Sequence, residues 1–122
     1  MNIGINARHL INGKLEGIGW YSYEILSRLV IYRPNDHFFF FYDRKTIPLV
    51  ESSNVTNVIV SPQARHPILY SIWYNYSLPI LFKKYKIDFF FSSDGFLSLR
   101  TRIPQIGVIH DLNFEHYPKD LP

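Results

Sequence analysis

Residues 37–43 read HFFFFYD, and the four consecutive phenylalanines decide the fold class. A strand with one face in water alternates apolar and polar residues, because successive side chains point to opposite sides. Phe38, Phe39, Phe40 and Phe41 do not alternate, so this strand needs cover on both faces. A short unbroken apolar run fits a parallel sheet roofed by helices. The same signature recurs at Val58, Ile59 and Val60, at Phe89, Phe90 and Phe91, and over residues 106–109, IGVI. All four runs are expected to be covered strands of one central sheet.

Upstream of this stretch, Pro34, Asn35 and Asp36 break and turn the chain. Before them, from Ile18 onward, Tyr21, Ile25, Leu26, Leu29 and Val30 recur at the spacing of one helix face. Residues 1–8 read as a strand, apolar at Ile3 and Ile5 with small residues between, and residues 9–17 as a long loop. Downstream, Pro67 suits a first helical turn, and Leu69, Ile72, Trp73, Tyr76 and Ile80 follow on one face. Pro79 falls inside that helix, residues 67–86, and predicts a kink or a split. Helices alternating with covered strands make residues 1–122 a single α/β domain. Its mainly parallel sheet is Rossmann-like, flanked by helices and joined by right-handed crossovers.

The 122 residues suffice for one real core. With 47% hydrophobic and 19% charged residues, the chain is outside the disordered class. The absence of cysteine excludes disulfides and cysteine-ligated zinc and is compatible with a reducing compartment. The opening MNIGINARHL lacks the pattern of a secretory signal, and no apolar run reaches spanning length, so a cytoplasmic location is expected. In that setting the sequons at Asn54 and Asn75 are chance matches. The net charge of +3 arises partly from Lys83, Lys84 and Lys86 and from Arg100 and Arg102. The first cluster reads either as a helix end complementing its dipole, which is preferred, or as attraction to anionic lipid or a phosphate-bearing substrate. Trp73, Tyr74 and Tyr76 ahead of it raise peripheral contact with the inner face of the membrane; packing of Trp73 and Tyr76 on the sheet is the preferred reading. No nucleic-acid module accompanies the basic residues, so no nucleic-acid partner is expected.

Ligands of such sheets bind beyond the carboxyl ends of the strands, near the reversal of strand order. Arg8 and His9, Asp43 and Arg44, Asp94 and Gly95, and His110 and Asp111 occupy such positions. Residues 13–24, GKLEGIGWYSYE, add Gly17, Ile18 and Gly19 at a helix mouth. Glycine there either takes an unusual backbone angle or leaves N–H groups bare for an anion. Trp20 offers a flat apolar platform. As a dinucleotide fingerprint the stretch is irregular: Ser22 stands at the third glycine position and the loop before Gly17 is long. Asp43 would be the matching ribose acid. His110 can exchange a proton or bind a hydroxyl, or bond to backbone with Asp111 capping the next segment. A metal at His110, Asp111, Glu115 and His116 fits no common zinc spacing, so no metal is expected. No Gly-x-Ser-x-Gly elbow supports a serine triad.

Taken together, NIGINARHL, EGIGWYSYEIL, ARHPILYSIWYNYSLP, IDFFFSSDGFLSLRTRIP and VIHDLNFEHYP resemble the N-terminal half of bacterial family 4 glycosyltransferases. The resemblance implies half of a GT-B fold, an acceptor-side domain whose donor-binding partner domain would follow Pro122. It implies retaining transfer of a hexose from a nucleotide-sugar to a glycan or lipid-linked acceptor, in synthesis of cell-surface polysaccharide such as lipopolysaccharide. No cofactor or metal is implied. By the same resemblance His110 contacts the transferred sugar, Asp111 orients its turn, and Gly17, Ile18 and Gly19 approach donor phosphate and acceptor. Arg8, Trp20, Asp94 and Gly95 would line the acceptor side. Trp20 departs from the arginine of many relatives. Without the donor half, these 122 residues alone are expected to be inactive. The alternatives are a dinucleotide- or nucleotide-binding half of another α/β enzyme, and a non-catalytic interaction module.

Overall fold

The computed structural model describes residues 1–8, 10, 17–63, 67–92, 97, 98 and 101–107. His9, Asp94, Gly95, His110, Asp111, Glu115 and His116 lie outside the described residues. In chain order the elements are β1 (Asn2–Asn6), α1 (Gly17–Tyr32), β2 (His37–Tyr42), β3 (Val55–Ile59), α2 (Pro67–Ile72), a π-helical turn (Trp73–Ser77), α3 (Leu78–Lys84), β4 (Phe89–Ser92) and β5 (Gln105–Gly107). The described strands form one sheet in the order β3-β2-β1-β4-β5, and every pairing is parallel. This is the expected Rossmann-like α/β arrangement, and its order reverses between β1 and β4.

The four phenylalanines divide as a doubly covered strand requires. Phe38, Phe40 and Tyr42 pack with Ile3, Ile5, Leu26 and Val30 under α1. Phe41 joins Trp73, Tyr74, Leu78, Phe82 and Phe90 on the opposite face, under the α2–α3 run. Gly4 sits between the rings of that second layer. A Cβ there would stand 3.0 Å from Phe41 Cε2, 3.2 Å from Ile87 Cγ2 and 3.3 Å from Phe90 Cδ1. The missing side chain on β1 is what lets its aromatic neighbours close over the middle of the sheet.

Cover is less complete at the margins than the apolar runs imply. β3 is an edge strand, and Ile59 is 56% exposed. Ile106 on β5 is also exposed; residues 108 and 109 lie outside the described residues. An edge strand has a neighbour on one side only, and the loop of residues 43–54, which contains no helix, covers β3 less fully than a crossover helix would. That loop is nonetheless anchored. Val50 enters the core under α1, and Asn54 Nδ2 donates to the carbonyls of Val30, Arg33 and Asp36 at 3.1, 3.2 and 3.2 Å. The side chain of this sequon asparagine thus satisfies orphan carbonyls where α1 ends.

The face of α1 keeps its expected phase except in the first turn, whereas that of the second helical run is shifted. On α1 the buried stripe runs through Gly19, Ser22, Leu26 and Val30, while Tyr21 turns outward. Small residues at Gly19 and Ser22 suit a close approach of the first turns to the sheet. On the second helical run, Trp73, Tyr74, Leu78 and Phe82 are buried, whereas Ile72, Tyr76 and Ile80 are exposed. Pro79 explains the shift. It has no N–H, and in an α-helical register its ring would meet the carbonyl of Asn75. The chain widens to a π turn instead, in which the Leu78 N–H reaches the Trp73 carbonyl five residues back. The run is neither broken nor split into separated helices; Pro79 sits in the first turn of α3.

Candidate functional site at the carboxyl edge

Alternation along β1 gives Ile3, Ile5 and Ala7 to the α1 face and Gly4, Asn6 and Arg8 to the α2 face. The last two meet a buried polar cluster beside the reversal of strand order. Asn6 Nδ2 donates to Tyr74 Oη at 2.8 Å and to Ser92 Oγ at 3.0 Å, while its Oδ1 accepts the Arg8 backbone N–H at 3.2 Å. Arg8 sends Nε and Nη2 to the same Tyr74 oxygen at 3.2 and 2.9 Å. Its guanidinium carbon lies 4.7 Å from the Tyr70 ring centre, 5.3 Å from Tyr74 and 5.5 Å from Trp73. Arg8 is only 7% exposed, and Asn6 and Ser92 are sealed.

The π turn makes this box. It carries Trp73 and Tyr74 side by side into the protein, their rings edge to face at 4.9 Å. The Trp73 indole N–H donates to the Val60 carbonyl at 3.0 Å, which fixes the ring. A guanidinium held over aromatic faces and away from water interacts with them by up to roughly 2 kcal/mol. Its charge stays fixed, since arginine does not lose its proton in a protein. The arrangement fixes a buried, oriented cation at the carboxyl edge of the sheet.

The other candidates fall as follows. Gly17 is the first residue of α1, exposed, and a Cβ on it would touch nothing within 4 Å. Its backbone does not occupy the left-handed region, so the conformational reading of this glycine is corrected: no unusual angle demands it. Gly19 is buried and Ile18 continues the helix. Trp20 is 55% exposed and stands edge-on to Tyr23 at 6.3 Å. Since α1 covers one face and Arg8 looks to the other, the glycine stretch and Arg8 occupy opposite faces of the same edge. Asp43, the candidate ribose acid, has no exposed side-chain surface and is engaged by Arg44 Nε at 3.1 Å. Asp94, Gly95, His110 and Asp111 are not among the described residues.

Asn6, Tyr70 and Ser92 were not singled out from the sequence, and Tyr74 only as a candidate membrane contact. Asn6 and Ser92 had a signal, a polar residue closing an apolar strand. The buried role of Tyr74 had no signal, because the π turn that directs it inward is a tertiary outcome. Among the described residues no cluster of three or more histidines and acids could hold a metal, and no helix is long and apolar enough to cross a membrane. Neither a family model, nor a curated protein, nor a solved structure matches this chain.

Proposed function

We propose that this chain is the N-terminal, acceptor-side domain of a retaining glycosyltransferase that moves a hexose from a nucleotide-sugar to a glycan or lipid-linked acceptor, in the cytoplasm, for cell-surface polysaccharide. The observation that carries the reading is the caged Arg8 cation at the carboxyl edge, where sheets of this order take their ligands. The position of Gly17 as first residue of α1 supports it, because the first backbone N–H groups of a helix attract an anion.

In this reading the N–H groups of residues 17–19 stabilise charge developing on the departing diphosphate, and Arg8 holds the acceptor. His110 binds a hydroxyl of the transferred sugar, Asp111 orients its turn, and Asp94, Gly95 and Trp20 line the acceptor side. The buried, Arg44-bound Asp43 counts against a ribose-binding acid and so against the dinucleotide alternative. Ser22, small and buried, favours that alternative to the extent that it packs where a third glycine would.

The test uses the gene product translated through any reading frame that follows the Pro122 codon. It is incubated with UDP- and GDP-hexoses labelled in the sugar and with a lipid-linked glycan extract. Labelled hexose is expected in the glycan with its anomeric configuration kept. Arg8→Lys should lower transfer by on the order of tenfold through loss of the forked donor. Full activity in His110→Ala would remove the role given to the histidine. Tight binding of NAD with no transfer from any nucleotide-sugar would replace the reading with the dinucleotide one.

A further inference from the structure

At the opposite, amino edge of the sheet, the end of α3 and the approach to β5 enclose a groove of about 440 Å³. It is lined by Pro79, Phe82, Lys83, Ile87, Thr101, Arg102 and Ile103. The floor is apolar and recessed: Phe82 and Ile87 are 3% and 4% exposed, and Ile103 packs against the same core layer. Among the described residues the rim carries two cations and a hydroxyl and no acidic side chain. Among the described residues neither Lys83 nor Arg102 has an ion pair or a side-chain hydrogen bond. Lys84, by contrast, turns to the Tyr85 ring at 5.3 Å, and Asp88 accepts the Asn2 N–H at 2.8 Å.

A helix C-terminus would ordinarily repel an anion. Here its carbonyls are taken up: Leu81 by the Tyr85 N–H at 2.9 Å, Phe82 by Ile87 at 2.8 Å and Lys83 by Lys86 at 3.3 Å. The two side-chain cations therefore set the potential of the groove. The volume falls within the range of small-molecule sites, and the concave shape admits one chain rather than a flat bilayer.

We infer that this groove binds a single anionic amphiphile, a phosphate monoester head on an alkyl tail. The Arg102 fork and the Lys83 ammonium would take the phosphate oxygens, Thr101 would donate its hydroxyl, and the tail would lie on Pro79, Phe82, Ile87 and Ile103. The site is remote from the carboxyl edge and independent of the function proposed above.

Calorimetric titration of the chain with dodecyl phosphate, below its micelle threshold, tests this. Saturable one-to-one binding is expected. The K83Q/R102Q double variant should weaken it at least about tenfold while lowering the melting temperature by no more than a few degrees, the cost of one lost cation at the end of α3. Inorganic phosphate and dodecyl maltoside, each carrying half of the recognised chemistry, should also bind at least about tenfold more weakly. Equal binding by the double variant, or by either half-probe, would overturn the proposal. So would absence of dodecyl phosphate binding alongside variant-sensitive pelleting with phosphatidylglycerol vesicles, which would make these cations a membrane-surface contact instead.

Discussion

At the scale of single residues, Gly4 and Gly17 have opposite meanings. Gly4 is needed for space, because three side-chain atoms stand within 3.3 Å of where its Cβ would be. Gly4→Ala should therefore lower stability by about 1–3 kcal/mol in a urea melt. Gly17 is surrounded by open space, so Gly17→Ala should change stability by less than about 0.5 kcal/mol. If α1 receives a diphosphate, the added methyl should still impair transfer by the complete enzyme. A sequence cannot tell these glycines apart, since the neighbours of Gly4 come from β2, β4 and residue 87. Tyr74 makes the same point for a polar group. Its oxygen accepts from Asn6 and twice from Arg8 in a buried setting. Tyr74→Phe removes that acceptor at nearly constant volume, and chemical denaturation should register a loss of roughly 1–3 kcal/mol.

Among the elements, α3 shows how a charged cluster can be structural and still supply one group to a groove. Lys83 and Lys84 lie in its last turn, where a cation complements the dipole, as the preferred reading of the basic run holds. Lys86 follows in the left-handed conformation, at φ 55°, and its N–H closes on the Lys83 carbonyl. Most side chains are strained there, so Lys86→Gly is expected to raise stability by about 1 kcal/mol, read as a higher melting temperature. The α2–α3 run also explains why its buried face was not legible. Ile68, Ile72, Tyr76 and Ile80 leave the outer side as apolar as the inner, so periodicity alone had no contrast from which to fix the phase. The π turn then inserted its extra residue. Trp73 packs on the sheet as preferred, while Tyr76 does not.

Over the whole molecule, stability against pH is expected to fall at both extremes for separate reasons. Arg33 binds Asp36 directly and holds its carboxyl below the usual range, with the Met1 ammonium at 3.3 Å adding to the effect. A lowered folded-state value means the contribution is present above the ordinary carboxylate range and is lost as pH falls through the folded value. Tyr42 behaves in the opposite sense. Burial, then the charge of Glu51, pushes it from 10 up to about 12. The folded state keeps a proton that the unfolded chain surrenders, so stability should drop between those two values by about 2–3 kcal/mol. Melting curves of Tyr42→Phe across that range should be flatter than those of the parent. The sequence by itself determined the α/β class and the parallel sheet, because an unbroken run of phenylalanines is tolerable only under cover on both faces. It also determined where α1 lies, through its periodicity and the Pro34 stop, and it marked Arg8 as a strand-end cation. Only the tertiary structure decided which strands are edges, which face of the α2–α3 run is buried, and that Arg8 is caged by Tyr70, Trp73 and Tyr74. Those outcomes depend on contacts between separate elements, such as Asn6 with Tyr74 and Ser92, and local patterns of apolarity carry no record of them.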